Sequence, residues 1–193
     1  MTYHGVKFKT EFVFREIPND PRIEELKKWC KIFHDLNLAP AYEGGSFGNL
    51  SFRLKEGQNE FIITGSKIGL KDNLTNDCFV KVINCDFKNN LISAQGSREP
   101  SSESLLHFAI YQKRPEINAV FHGHNCEKLD LKTAIETKEE KPYGTIELVD
   151  SVLEVLGNNN FIIMKNHGFL VLGRSMEEAG EIIIPPPNTS CPL

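Results

Sequence analysis

Two histidines separated by a single glycine stand at the end of a short apolar run, AVFHGHN, Ala119 to Asn125. On a β-strand, side chains two positions apart project from the same face, so His122 and His124 can converge on one metal ion while Gly123 points away. Zinc accepts imidazole nitrogens as ligands at about 2.0–2.1 Å. The HxH pattern alone is a weak signal, because surface or hydrogen-bonded histidines can have the same spacing.

Two further residues strengthen the metal hypothesis. Glu103 is predicted in the first turn of a helix that begins at SSES, and His167 is predicted in a turn where Gly168 permits close backbone approach. Together with the HxH pair they could form a site of three histidines and one carboxylate. Each also has a structural interpretation: the helix dipole stabilises an acid in a first turn, and a turn histidine can hydrogen-bond to backbone.

Two other side chains near these positions are weaker candidates. His107 lies four residues after Glu103, on the same helical face, and could be a ligand or a partner of one. A packed histidine with a local hydrogen bond is at least as good an interpretation. Cys126 could ligate metal, but an inert cysteine is the preferred interpretation.

Three short segments rich in Gly, Ser, Thr and Asn indicate an anion site. They are GGSFGNLS, TGSKIG and SSES, at strand ends or a helix N-terminus, where backbone N–H groups and hydroxyls can surround phosphate oxygens. Such residues also form ordinary turns and caps. None of the segments matches the Walker A or GxGxxG patterns, so nucleotide binding is not predicted.

The first half of the chain has clear periodic elements to carry these residues. The segment NDPRIEELKKWCKIFHDLNL has capping residues, an early proline and apolar residues at helical spacing, which predict an amphipathic helix. FGNLSFRL and EFIITG predict a hairpin, and DCFVKVINCDF with NNLISA predicts a second strand pair.

The second half alternates helix and strand. SSESLLHFAIYQKRP predicts a helix, INAVFHGH a strand, and TIELVDSVLEVLG a helix that ends at Gly157. NFIIMKNHGFLVLG predicts two strands separated at His167 and Gly168, and SMEEAGEIII predicts a short helix that stops at three prolines. The whole pattern predicts an α/β or α+β domain in which helices cover a largely antiparallel or mixed sheet.

Length and composition predict one globular domain over residues 1–193, with a short Pro-rich tail at 185–193. The net charge of −4 gives no general reason to expect nucleic acid, and no apolar run is long enough to cross a membrane. The five cysteines are odd in number and form no CxxC pair, which indicates reduced thiols. With no apolar secretory segment at the N-terminus, the expected location is the cytoplasm.

Four segments in fixed order resemble the class II aldolase/adducin family, especially its sugar-phosphate aldolases of the fuculose-phosphate type. They are GGSFGNLSFR, FIITGSKIGL, EPSSESLLHFAIYQKRPEINAVFHGHN and NFIIMKNHGFLVLG, and the resemblance covers roughly Trp29 to Ala179. It implies a three-layer α/β/α sandwich around a central, mainly antiparallel sheet. It also implies a homotetramer with active sites at the subunit interfaces.

The same resemblance assigns roles to individual residues. His122, His124 and His167 take the positions of the zinc ligands, and Glu103 that of the carboxylate which ligates the metal or acts as acid/base. The family's substrate-phosphate positions fall on Gly48, Asn49, Thr64, Gly65, Ser101 and Ser102. Fuculose-phosphate aldolases carry a tyrosine proton donor after the HxH motif, but the segment is shorter here and its only tyrosine, Tyr143, is not assigned that role.

The function implied is reversible, zinc-dependent cleavage of a small ketose 1-phosphate into dihydroxyacetone phosphate and an aldehyde. Zn²⁺, or another divalent ion, would act as a Lewis acid on the substrate oxygens. Glu103, where related pentose-phosphate epimerases tend to carry aspartate, favours aldolases and their dehydratase relatives. The alternatives are a dehydratase of the methylthioribulose-phosphate type and a non-catalytic, adducin-like binding or scaffold protein.

Overall fold

A computed structural model describes residues 5–127 and 129–184 of the chain. Its strands are Lys9–Phe14 (β1), Ala41–Tyr42 (β2), Gly45–Ser46 (β3), Asn49–Arg53 (β4), Phe61–Thr64 (β5), Phe79–Asp86 (β6), Leu91–Gln95 (β7), Ala119–Gly123 (β8), Ile135–Glu136 (β9), Phe161–Met164 (β10) and Gly168–Gly173 (β11). The α-helices are Ile23–Asp35 (α1), Ser104–Lys113 (α2), Ile146–Leu156 (α3) and Met176–Glu181 (α4). The predicted tail at 185–193 lies outside the described residues. Within those residues, no helix has the length and apolar character to span a bilayer.

One nine-stranded sheet organises the chain, in the order β1-β7-β6-β5-β4-β8-β11-β10-β9. Six of its eight neighbouring strand pairs are antiparallel; only β1 with β7 and β9 with β10 are parallel. The predicted mainly antiparallel sheet is therefore confirmed, and so are the predicted strand pairs β4–β5 and β6–β7. The two strands predicted on either side of His167 and Gly168 are also present, and the structure pairs them as the antiparallel strands β10 and β11. The finer description as a three-layer sandwich stays a prediction.

Alternating side chains of the sheet join two separate apolar clusters. Along β11, Leu170 and Leu172 belong to a cluster with residues of α2 and α3, whereas Phe169 and Val171 belong to a cluster with residues of α1 and α4. This follows from the period of two along a strand, which sends successive side chains to opposite faces. Because both faces are covered, β11 is apolar throughout and buried along its whole length.

The predicted helices occur where the periodicity placed them, with small shifts at their ends. In α1 the buried side chains Ile23, Leu26, Cys30 and Phe33 recur at helical spacing along one face. The strand predicted through both histidines ends one residue early, because β8 stops at Gly123. The last helix, α4, ends at Glu181 and not at the prolines.

Candidate active site

His122 lies in the middle of the sheet, where β8 runs between β4 and β11. In register it stands opposite Asn49 on one side and Leu170 on the other, and its side chain is fully buried. Its Nδ1 lies 2.9 Å from the carbonyl oxygen of Phe169. Because a carbonyl only accepts, Nδ1 carries the proton and Nε2 is left with a free lone pair. Such a hydrogen bond is how proteins fix the tautomer of a metal-binding histidine.

His124 follows β8 directly and brings its imidazole to the same point. Its backbone N–H donates to the carbonyl of Leu38 at 2.9 Å, and its Nε2 lies 3.0 Å from His122 Nε2. Two nitrogen ligands of a tetrahedral zinc ion stand roughly 3.3 Å apart. The ring of Phe47 packs on His124 with centroids 4.6 Å apart. The predicted convergence of the HxH pair is thus present in the structure.

His167 completes a cluster of three imidazoles from the turn between β10 and β11. Its backbone N–H donates to Met164 at 2.9 Å, while both ring nitrogens are buried without a hydrogen-bond partner among the described residues. One nitrogen from each of His122, His124 and His167 lies within 4.8 Å of the other two. Buried polar atoms without partners are costly, and a metal ion coordinated by these nitrogens would satisfy them. The cluster therefore fits a metal.

Burial keeps the imidazoles of His122 and His124 neutral at physiological pH. Loss of hydration lowers the pKa of His122 to about 4, with the Glu103 carboxylate opposing this shift and His167 adding to it. Burial also holds the pKa of His124 far below its usual range, and His122 and His167 lower it further. Because only the unprotonated nitrogen binds a metal, His122 and His124 are in their binding form over a wide pH range.

Glu103 lies beside the cluster, at the start of α2. It is the residue immediately before the helix, not within the first turn as predicted, and its carbonyl accepts from the backbone of His107 at 3.0 Å. Its Oε2 accepts a hydrogen bond of 2.8 Å from Asn49 Nδ2, and its Oε1 stands 3.7 Å from His167 Nε2. Glu103 is therefore held by Asn49 at the edge of the three-histidine group, outside the set of mutually close nitrogens.

Most of the residues predicted to bind phosphate line a cleft next to the histidines. An isolated bridge between Gly65 and Pro100 draws the end of β5 against the turn that precedes α2. The cleft contains about 500 Å³ of space, including its open mouth, and its lining includes Gly48, Asn49, Gly65, Ser101, Ser102, Glu103, His124 and His167. Thr64 is not part of this lining. Its side chain is buried, and its hydroxyl accepts from the backbone N–H of Leu50 at 3.3 Å.

The structure adds lining residues that sequence reasoning did not assign. They are Tyr42, Ser46, Phe47, Ser66, Lys67 and Tyr143. Ser66 and Lys67 belong to the TGSKIG segment, so its anion-binding composition could have indicated them. Tyr42 and Tyr143 lie far apart in the chain, on the β2–β3 hairpin and just before α3, and nothing in the local pattern marks them.

The two weaker candidates lie elsewhere. His107 is buried between α2 and β4, and its Nδ1 lies 2.7 Å from the Ser51 hydroxyl. That hydroxyl also lies 2.7 Å from the Tyr111 hydroxyl. The interpretation as a packed, locally bonded histidine describes it better than that of a ligand. Cys126 packs against the apolar cluster that includes α1 and is not part of the histidine group.

Gly168 lets the turn of His167 approach β8, and a side chain there is expected to be disruptive. A Cβ at this position would lie 2.2 Å from the carbonyl oxygen of Gly123, a backbone atom that cannot move alone. We expect Gly168→Ala to lower the free energy of unfolding by about 1–3 kcal/mol in urea titrations. Gly69→Ala is the matched control, because a Cβ there meets nothing within 4 Å. Equal losses in both variants would contradict the packing argument.

The buried histidines also predict how the metal-free protein responds to acid. The pKa of His122 is about 4 when folded, against an ordinary value near 6.5, so the unfolded chain takes up its proton first. Stability is fully present above pH 6.5 and is lost as the pH falls towards 4, by on the order of 3 kcal/mol from this group. Urea titrations across this range measure it. His122→Gln should flatten the dependence and His34→Gln on α1 should not; an unchanged slope in His122→Gln would contradict the assignment.

Comparison with known proteins gives a consistent family. The profile of the Class II Aldolase and Adducin N-terminal domain matches residues 24–129 and 125–184. A protein of Methanococcus maripaludis named L-fuculose phosphate aldolase is 31% identical over 175 residues, covering 81% of this chain and 87% of that protein. A 5-methylthioribulose-1-phosphate/5-deoxyribulose-1-phosphate aldolase of Escherichia coli is 27% identical over 175 residues, covering 81% and 77%.

Solved structures share the fold at lower identity. An L-fuculose 1-phosphate aldolase superposes with a TM-score of 0.68 at 24% identity, covering 87% of this chain and 82% of that one. A sugar-phosphate aldolase from Thermotoga maritima gives 0.65 at 19% identity, covering 84% and 88%. The chain therefore belongs to the class II aldolase and adducin family.

Proposed function

We propose that the protein is a metal-dependent aldolase that reversibly cleaves a small ketose 1-phosphate into dihydroxyacetone phosphate and an aldehyde. The observation that carries the proposal is a cluster of three imidazoles beside a cleft whose lining includes a buried carboxylate and a Gly/Ser-rich wall. Two of the matched relatives are named as aldolases of phosphate esters, which supports the same chemistry.

The imidazoles of His122, His124 and His167 would hold the ion, and we propose Zn²⁺ over other divalent ions because three nitrogen ligands suit it. A bound divalent ion supplies Lewis acidity where negative charge develops on substrate oxygens. Glu103, 3.7 Å from His167 Nε2, is placed either to join the ligands or to exchange a proton with the substrate. We propose the second role.

The proton inventory of the reaction explains why a carboxylate is needed. When the bond between C3 and C4 of the ketose breaks, its electron pair stays with C3, the C4 hydroxyl gives up its proton, and C4 becomes the aldehyde carbonyl. C3 must then gain a proton to give dihydroxyacetone phosphate. Glu103 can exchange that proton, because Asn49 donates to its Oε2 and leaves Oε1 facing the histidines.

Phosphate binding is assigned to the wall of the cleft. The backbone N–H of Gly48 and hydroxyls at Ser101 and Ser102 are the proposed donors, with the Asn49 amide beside them. Gly65 shapes the wall without donating, because its N–H is bonded to the Cys78 carbonyl at 2.7 Å. Binding energy from a phosphate remote from the breaking bond serves to position the reacting carbons. Thr64, buried behind this wall, would act only through the strand that it stabilises.

We also propose a cytoplasmic homotetramer with active sites at subunit interfaces, as the family resemblance implies. Sedimentation equilibrium tests the assembly: a mass of four chains of 21.8 kDa is expected, and a monomer at micromolar concentration would contradict it.

Product analysis tests the reaction. Zinc-loaded protein is incubated with a panel of ketose 1-phosphates, including fuculose, rhamnulose, ribulose and methylthioribulose phosphates, and the products are identified by mass spectrometry. Dihydroxyacetone phosphate with an aldehyde is the expected result. A dehydrated diketone phosphate with its carbon chain intact would instead identify a dehydratase. No conversion of any substrate, together with no metal uptake, would favour a non-catalytic, adducin-like protein.

A further inference from the structure

Lys71 is a deeply buried lysine that has no acidic partner among the described residues. Its side chain is 1% exposed. Its Nζ donates to the Ser46 hydroxyl at 2.8 Å, the Ser46 carbonyl at 3.2 Å and the Phe47 carbonyl at 2.8 Å. Across residues 5–127 and 129–184, no ion pair includes Lys71. The three ammonium protons are thus satisfied by neutral oxygens, while the positive charge has no counter-ion.

Burying an ammonium group without a counter-ion costs desolvation free energy, so the presence of a lysine at this position needs an explanation. Burial lowers the pKa of Lys71 to about 8, with Cys30 opposing the shift, so the group remains largely charged at pH 7. A methionine of similar volume would avoid the desolvation cost and is tolerated at many buried positions. A lysine here is therefore better explained by what its charge and hydrogen bonds do than by packing.

Lys71 is connected to the cleft through its hydrogen-bond partners. Ser46 and Phe47, which accept its hydrogen bonds, both line the cleft, and Gly48 follows them. Since C=O and C–N bonds are about 1.2 and 1.3 Å long, the nitrogen of Gly48 lies within roughly 5.4 Å of Lys71 Nζ. The peptide between Phe47 and Gly48 is trans, so the Gly48 N–H points away from the lysine that binds the Phe47 carbonyl.

We propose that Lys71 is a positioning residue for the anionic group of the substrate. It lies on the far side of residues 46–48 from the cleft and acts on the anion through them. Its hydrogen bonds hold these residues with the Gly48 N–H turned away from the lysine, and its ammonium is the fixed counter-charge for a phosphate on the cleft side. This rests on the proposed function, because a phosphorylated substrate is what the cleft would bind. Lys71 itself touches no reacting atom.

Binding of inorganic phosphate to the zinc-loaded protein tests the role directly. By isothermal titration calorimetry, Lys71→Met should bind phosphate on the order of tenfold or more weakly, because a charge at this range contributes appreciably even when screened. Lys71→Arg, which keeps the charge and donors, should recover much of the affinity. Lys81→Met is the matched control, since Lys81, on β6, has an acidic partner in Glu60. Equal phosphate affinity in Lys71→Met and the wild type would overturn the proposal.

Kinetics and spectroscopy separate positioning from a general loss of structure. For Lys71→Met, KM for a ketose 1-phosphate should rise by about the same factor as the phosphate dissociation constant, while kcat changes less. In the wild type, ¹⁵N spectra of the lysine Nζ groups should show the Lys71 signal moving when phosphate is added. Because this measurement is made on the wild type, it does not depend on whether a Lys71 variant folds. Movement of the Lys67 signal alone, with Lys71 unaffected, would overturn the proposal.

The result also separates this inference from the proposed reaction. Phosphate binding that depends on Lys71, without release of dihydroxyacetone phosphate from any substrate, would support Lys71 and contradict the aldolase. Cleavage with normal KM in Lys71→Met would support the aldolase and contradict the role of Lys71.

Discussion

Replacing His124 with alanine is expected to weaken metal binding by more than about 100-fold and to abolish cleavage. Loss of groups that only orient ligands already costs 10–100-fold, so loss of a ligand should cost more. His124 is the best of the three histidines to test, because it follows β8 and is less buried than His122, whose removal would open a hole within the sheet. Metal affinity is measured by competition with a chromophoric chelator.

The matched control for this substitution is His34→Ala, in the last turn of α1. It should retain metal affinity and activity, and both variants should keep the circular dichroism spectrum of the wild type. The ring of Phe47 packs on His124, so a small loss of stability in His124→Ala is expected from that contact. Unchanged metal occupancy in His124→Ala would remove this residue from the ligand set.

The second large effect is expected for Glu103→Gln, with kcat falling by about 10²- to 10⁴-fold while metal binding is kept. Glutamine has the same shape and can still accept the hydrogen bond from Asn49, but it cannot exchange a proton. Steady-state kinetics with metal analysis of the same sample separates the two candidate roles. Glu154→Gln, on the exposed surface of α3, is the control.

Either of two outcomes for Glu103→Gln would contradict the assignment. Full activity would show that the carboxylate transfers no proton in a slow step. Loss of the metal together with activity would make Glu103 a ligand, in agreement with the alternative role that the family resemblance left open. The 3.7 Å between its Oε1 and His167 Nε2 is compatible with a small movement towards the ion.

Local patterns were sufficient to predict the elements that carry the histidines. Periodicity along α1, α2 and α3 and the strand runs of β4, β5, β10 and β11 depend on neighbouring residues, and the structure has these elements at nearly the predicted bounds. The convergence of the HxH pair was also predictable, because side chains two positions apart at a strand end lie on the same face whatever surrounds them. By contrast, β1 pairs with β7 across about 80 residues of chain, and β9 is only two residues long.

The partners of the site could not be predicted in the same way. Asn49 holds Glu103 across 54 positions of sequence, which no pattern in either segment reveals. His107 shares a helix face with Glu103, yet α2 carries it beneath the sheet to Ser51. Thr64 and Gly65 are neighbours in one motif, but only Gly65 reaches the cleft, since the Thr64 side chain turns into the sheet. Lys71 becomes notable only when its burial is known.

Metal dependence of the cleavage reaction tests the central claim most directly. Protein stripped with a chelator is titrated with Zn²⁺ while dihydroxyacetone phosphate release from a ketose 1-phosphate is followed by coupled reduction with NADH. The account predicts no activity without metal and a rise that saturates at one equivalent per chain. Cleavage at full rate by the stripped protein, or metal bound at one equivalent with no cleavage of any ketose 1-phosphate, would contradict it.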